Sequence, residues 1–336
     1  MNRKRQRLED GESTRMDLFG MLLSARMFES NFAPYCTTKM LACLLRSCCL
    51  MKEPVLFVLT TRRMWPMVDV AQLSLLRRAF VRHLFYDSVT MDVRPRVLPS
   101  GLTGLIQITF CSSFYQPLTN LLPAGLKQVT LGRDYNEPVA AGVLPTSLME
   151  LTLGSDFNQL IVVGVLPAGL KQLTFGTLYN QPLAVGVLPV RLTQLTFGFM
   201  YNQPLPVGVL PAGLTQLTFG FAFICSLEVG ELPVCLKQLT FGCRYNRRLL
   251  PGVLPAGLTQ LSFGHDYQQP LEVGVLPRGL MQLTLGKYQQ SVDVDVLPLG
   301  LRQITIGNCS FVRRPGRQYV SGFPVWLYTA GFSHDD

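Results

Sequence analysis

Apolar and polar residues alternate in short bursts along most of this chain, and the bursts return at a fixed distance. In Gln172-Leu173-Thr174-Phe175 the polar residues take one set of positions and the apolar residues the other. That is the period-two pattern of a strand with one buried face. The same offsets hold Val129 and Leu131 upstream and Leu283 and Leu285 downstream. A Leu-Pro pair opens each copy: prolines fall at Pro123, Pro145, Pro167, Pro189, Pro211, Pro233, Pro255 and Pro277 at intervals of 22, with Pro99 24 residues before and Pro298 21 after. Ten copies therefore run from residue 98 to 307. Self-similarity of fixed period marks a stacked array, in which each unit buries its apolar face against its neighbours.

Each copy predicts one short strand, followed by a glycine that ends it, as at Gly176, Gly198 and Gly220. Glycine fits there because the backbone must turn with positive φ or approach a neighbour closely. An aromatic column comes next (Tyr135, Phe157, Tyr179, Tyr201, Phe223, Tyr245, Tyr267), then an amide column at Asn136, Asn158, Asn180, Asn202 and Asn246. Stacked amides can bond neighbouring backbone groups and each other along the array; the alternative is a row of amides presented to a ligand. Proline in the second extended piece, as at Pro182, argues against a central laddered strand there. A second glycine column, Gly142 to Gly274, precedes the next Leu-Pro. Proline or glycine interrupts the array too often for a helix. The expected fold is mainly β: a parallel solenoid of ten coils of about 22 residues, stacked at roughly 4.8 Å into a rod on the order of 45 Å long.

The segment Tyr179-Asn180-Gln181-Pro182, followed by Gly186, Leu188-Pro189 and Leu192-Thr193-Gln194-Leu195-Thr196-Phe197-Gly198, resembles the FNIP repeat, a leucine-rich-repeat relative. The resemblance covers the ten copies and implies a leucine-rich-repeat-type solenoid that binds other proteins. It carries no catalytic residue. Departures fall at Phe223-Ile224-Cys225-Ser226, which lacks both Asn and Pro, and at Tyr245-Asn246-Arg247-Arg248, where Arg replaces Pro. These weaken the amide ladder without breaking the period.

Charge divides the chain in the same places. Residues 1–97 carry net +7, the array +1 and residues 308–336 +1, so the overall +9 belongs to the N-terminal segment. A near-neutral array is a poor nucleic-acid surface, since phosphate binding needs clustered cations. Nine cysteines, an odd number, lack any CxxC pair, which argues against a disulfide framework or zinc site and for a reducing compartment. Neither a signal peptide nor a membrane span is expected, because the apolar run near Leu41 is broken by Arg46, Lys52, Glu53 and Pro54. The expectation is a monomeric cytoplasmic protein, or a nuclear one through Arg3-Lys4-Arg5-Gln6-Arg7, with no cofactor, nucleic acid or membrane partner.

Four segments follow. Residues 1–15 are basic and expected to be disordered; 16–97 read as a small helical domain or cap; 98–307 are the array; 308–336 are an aromatic-rich C-terminal cap. Leu18, Phe19, Leu22, Leu23 and Met27 recur at helical spacing, as do Leu41, Leu44, Leu45 and Cys48, and a third helix is expected over 69–85 with Leu73, Leu76, Phe80 and Leu84 on one face. The stretch 28–50, with Phe32, Pro34, Leu41 and Leu44, resembles the middle of an F-box, although the usual opening Leu-Pro is absent. That resemblance implies docking on a Skp1-like adaptor of a ubiquitin ligase; the alternative is a plain cap on the first coil. In the tail, Phe311, Tyr319, Phe323, Trp326, Tyr328 and Phe332 are suited to cover the last coil and its open edge.

Outward strand positions form two uniform columns, one containing Gln172, Gln194 and Gln216 and the other Thr174, Thr196 and Thr218. More informative is the variable pair after each strand glycine. It reads Arg133-Asp134, Ser155-Asp156, Thr177-Leu178, Phe199-Met200, Phe221-Ala222, Cys243-Arg244 and His265-Asp266. Charges bracket an apolar centre, so stacking would gather Leu178, Phe199, Met200 and Phe221 into one patch with a polar rim, the layout of an interface hot spot. The alternative is that these side chains pack on their own coil neighbours. The three histidines, His83, His265 and His334, are far apart without a companion motif, and every array glycine sits on the 22-residue lattice, so no phosphate loop is formed. The sequence therefore points to a non-enzymatic binding scaffold. Its role is either substrate recognition for a ubiquitin ligase or protein binding with no ubiquitin link.

Overall fold

The computed structural model describes residues 105–292 other than Cys111 and residues 294–313, together with the backbone of three outlying strands. The basic N-terminus and the helices expected between 17 and 50 lie outside the described residues.

Fourteen strands form one sheet in strict chain order. Ten of them answer to the ten copies: β3 (Gln107–Phe110), β4 (Gln128–Thr130), β5 (Glu150–Thr152), β6 (Gln172–Thr174), β7 (Gln194–Thr196), β8 (Gln216–Thr218), β9 (Gln238–Thr240), β10 (Gln260–Ser262), β11 (Gln282–Leu285) and β12 (Gln303–Ile306). Each pairs in parallel with the next, residue over equivalent residue, as Leu173 does with Leu195 and Leu195 with Leu217. The middle residue of each strand is buried and its polar neighbours are half-covered or exposed, as the alternation requires.

Three tight turns give each coil three corners. In the coil that starts at β6, Tyr179 N–H donates to the Gly176 carbonyl at 3.3 Å, Val187 to Ala184 at 3.2 Å and Leu192 to Pro189 at 3.0 Å. Between the corners Leu173, Phe175, Tyr179, Leu183, Val187, Leu188 and Leu192 all point inward and are buried. One copy cannot close such a core. Stacked copies do, because each ring lies on its counterpart: Tyr179 and Tyr201 are 6.1 Å apart with nearly parallel planes, and Phe175 and Phe197 are 5.5 Å apart. The column accepts Phe or Tyr at equal depth, so the ring is what the position needs. The hydroxyls of Tyr135, Tyr179, Tyr201, Tyr245 and Tyr267 are buried without a protein partner, and this burial pushes their ionisation well above the usual tyrosine range.

The two glycine columns answer to different constraints. A Cβ on Gly198 would overlap the carbonyl oxygen of Gly176, and each strand-end glycine from Gly154 to Gly264 meets its predecessor in the same way. Close backbone approach, not dihedral freedom, dictates glycine there. The second column has room for a side chain but takes positive φ, for instance +87° at Gly208. It is the third residue of the second turn, where a type II turn demands the left-handed region.

The amide column is a ladder between coils. Asn158 Oδ1 accepts from the Asn180 backbone N–H at 2.9 Å and from Gln181 Nε2 at 3.2 Å. Asn136, Asn180 and Asn202 repeat the arrangement one coil on, at 2.9 Å each, and Asn246 does so at 3.0 Å. Ile224 supplies no side-chain acceptor, and there Arg247 Nε donates to the Ile224 carbonyl at 2.8 Å instead. Arg247, which stands at the Gln181 position while Arg248 takes the place of Pro182, thus bridges the gap left by the missing amide.

Upstream, β1 (Val55–Thr60) and β2 (Val81–Asp87) pair in parallel with each other, and β2 pairs with β3. The helix expected over 69–85 is therefore corrected at its end, where Val81–Asp87 is a strand. Phe80 and Leu84 are four apart, a spacing that shares a face in a helix and in a strand alike, and pairing with β3 decides between them. At the other end the chain reverses. β13 (Cys309–Arg313) runs antiparallel to β12 with Phe311 opposite Ile304, and β14 (Phe332–His334) pairs with β13. Phe311 is buried, so this hairpin covers the edge that β12 would otherwise expose.

Replacing Gly208 with Ala is expected to cost about 1–2 kcal/mol, the strain of a left-handed alanine. Gly198→Ala should cost about 3 kcal/mol or more, because backbone of adjacent coils must separate. Urea unfolding followed by circular dichroism compares the two; equal losses would contradict the distinction between the columns.

Candidate protein-binding surface

The first corner of each coil follows directly from the strand-end glycine. Once glycine lets the coils touch, the next peptides also pair: Leu178 N–H donates to the Ser155 carbonyl at 2.8 Å, Met200 to Thr177 at 2.9 Å and Ala222 to Phe199 at 2.8 Å. The turn is thereby fixed at both residues while their side chains face outward. Neither side chain is needed for packing, which leaves this pair free to vary from copy to copy.

The structure brings Phe199 and Phe221 together in adjacent coils, with ring centroids 4.5 Å apart and planes 3° from parallel. Stacking does not bury them: they remain 48% and 37% exposed. Leu178 and Met200 occupy the neighbouring column and are 46% and 45% exposed. Both sequence alternatives are thus partly realised, since the aromatics pack on a coil neighbour and still present an outer face. Arg133 and Asp134 lie exposed on one side of this apolar centre, and Arg244, His265 and Asp266 on the other.

Gln172, Gln194 and Gln216 stand on the strands, five or six residues before the patch, half-covered and in direct register. They form a continuous uncharged row, beside a threonine row, on the outer face of the sheet. The asparagines Asn136, Asn158, Asn180, Asn202 and Asn246 use their side-chain oxygens between coils, the structural one of the two roles open to them. Phe32, Pro34, Leu41 and Leu44 lie outside the described residues. Among the described residues there is no cluster of three or more metal-ligating side chains and no helix long and apolar enough to cross a membrane.

The second corner holds a surface that the sequence reading missed. Val163, Val185, Val207, Val229 and Val273 each precede the positive-φ glycine and are 62–66% exposed. Their signal was a column of valines at a turn. A turn residue has no partner in a period-two or period-3.6 pattern, so periodicity assigns it no face.

The comparisons with known proteins agree with this geometry. Overlapping segments 114–156, 135–178, 157–200, 179–222, 201–244, 223–266, 245–288 and 267–309 match the FNIP Repeat family. Among solved structures, CroV588, described as a novel circular LRR protein, is 33% identical, with a TM-score of 0.52 over 68% of this chain. The match takes in 40% of that protein's length. An internalin, inlF, from Listeria monocytogenes is 18% identical, with a TM-score of 0.51 over 81% of this chain and 76% of its own, a likeness of fold alone. A comparison with curated proteins found no match. Eight tandem matches, set on a parallel solenoid whose coils repeat every 22 residues, show that the chain belongs to the FNIP-repeat family.

Proposed function

We propose that this chain is a non-enzymatic scaffold that recognises another protein through the first-corner patch. Repeat solenoids of leucine-rich-repeat type are typical interaction scaffolds, and their stacked coils lay out an extended face one column at a time. The observation that carries the reading is the Phe199–Phe221 pair, stacked yet outward, while the ring columns at Tyr179 and Phe175 are buried. Exposed aromatic surface is costly to leave in water, and aromatic side chains dominate the binding energy of protein interfaces. Leu178 and Met200 widen the anchor, the charged pairs at either end form its rim, and the Gln172, Gln194 and Gln216 row offers adaptable hydrogen bonds beside it.

Phe199→Ser with Phe221→Ser leaves every inter-coil hydrogen bond in place and removes both rings. Partners recovered by affinity purification with the unaltered chain are expected to fall at least about 30-fold, the effect of losing one aromatic hot spot. Unchanged recovery would refute the anchor.

A ubiquitin-ligase role extends this reading and is supported only by the F-box resemblance over 28–50. In it, Phe32, Pro34, Leu41 and Leu44 dock a Skp1-like adaptor while the array holds the target. Co-purification with such an adaptor, lost on Leu41→Asp with Leu44→Asp, is the expected result. Failure to co-purify leaves the scaffold without its ubiquitin link.

A further inference from the structure

From the third corner we infer that the array lies along the surface of a bilayer containing anionic lipid, its cations at the headgroups and its aliphatic tips between them. This goes beyond the proposed function, since it concerns a different corner and a lipid surface rather than a protein.

Three columns make up this edge. Two are the turn residues after the Leu-Pro pair, as in Val190-Arg191, and the third is the residue that leads into the strand, as at Thr193. Lys171 N–H donates to the Met149 carbonyl at 2.8 Å and Thr193 N–H to the Lys171 carbonyl at 2.8 Å, so the leading column is joined coil to coil. Lys237 Nζ reaches the Gly257 carbonyl of the next turn at 3.2 Å, which places the head of that side chain over the corner itself. From Ala124 to Arg302, nine copies fill these columns without one Asp or Glu. They hold Lys127, Lys171, Arg191, Lys237, Arg278 and Arg302 instead. The array's acids stand elsewhere, Asp134, Asp156 and Asp266 at the first corner and Glu228, Glu231 and Glu272 at the second. A near-neutral array thereby carries one edge of a single sign. Eight steps of roughly 4.8 Å spread its cations over about 38 Å.

The same tips hold the most exposed large apolar side chains among the described residues: Leu299 at 91%, Val190 at 80% and Val234 at 77%. The two valines have no like neighbour, because the tips on either side of them are Ala168, Ala212 and Ala256. A protein interface gathers its anchors at one centre, inside a rim that excludes water. Val190 and Val234 stand two coils apart among cations. That layout suits a membrane surface, where apolar side chains sink to the acyl boundary while Lys and Arg meet the anionic headgroups. Nucleic acid fits the edge less well. Its three columns contain no Phe, Tyr or Trp on which a base could stack, and an aliphatic tip gains nothing from a phosphate. Binding of this kind needs no segment that crosses the bilayer.

The test is sedimentation of the full chain with vesicles in which about one lipid in three is phosphatidylserine, beside vesicles of phosphatidylcholine alone, at about 0.1 M salt. Partition onto the anionic vesicles is expected to exceed that onto the neutral ones at least about tenfold, and to fall as salt is raised. Lys171→Gln with Arg191→Gln should weaken it about 25-fold, since each cation at the surface contributes on the order of fivefold. Arg248→Gln with Lys287→Gln removes the same charge away from this edge and should leave partition within about twofold. Val190→Ser with Val234→Ser keeps every cation and should weaken partition about tenfold. No partition onto the anionic vesicles, equal partition onto both kinds, or equal losses from the two glutamine pairs would overturn the proposal. Anionic binding untouched by Lys171→Gln with Arg191→Gln would place it in residues 1–97, which carry net +7, and would overturn it too. So would serine variants that bind like the unaltered chain, the result expected of an edge built for a nucleic acid or an acidic protein.

Discussion

The carbonyl oxygen of one strand-end glycine occupies the space that a side chain on the next would need, and the whole array follows from that contact. It forbids any offset between coils, so each residue lies over its counterpart in the copy before. Like must then stack on like. Rings, amides and leucines tolerate this, because each attracts its own kind through face contact, hydrogen bonding or shared exclusion of water. Charges do not tolerate it, which explains why the strand columns are mainly Gln and Thr. Where a carboxylate does enter the column, at Glu150, it accepts from Gln128 Nε2 at 2.6 Å and faces no second acid.

The same stacking divides labour among the corners. At the first, backbone bonds between coils fix the turn at both residues and free their side chains, so the sequence varies there and an anchor such as Phe199 with Phe221 can arise in mid-array. At the second, a type II turn fixes glycine at one position and leaves a valine beside it in coil after coil. Variation suits recognition of one specific partner.

Much of this was legible in the sequence because a strict period exposes every constraint many times over. The inward ring column, the strand alternation and the structural use of Asn158 and Asn180 could each be read from one copy and checked in others. What escaped had no such redundancy. The two glycine columns look alike in sequence, since close approach and positive φ both exclude a Cβ, and only coordinates separate Gly198 from Gly208. The strand at Val81–Asp87 precedes the regular copies, and its apolar residues four apart serve a helix as readily as a strand. The second-corner valines were visible as a column but sit in a turn, where alternation carries no information about what a side chain faces.

The central claim is that adjacent coils are joined beyond the strand, at the first corner and at the amide ladder as well. Hydrogen exchange at the amides of Gln194, Met200 and Asn202 tests it most directly, because each donates to the preceding coil from a different side of the same turn, to Lys171, Thr177 and Asn180. If the joint is continuous, the three exchange at one slow rate, set by separation of whole coils. Rapid exchange at Met200 or Asn202 while Gln194 stays protected would show strands held alone, with the corners free of one another, and would contradict the account.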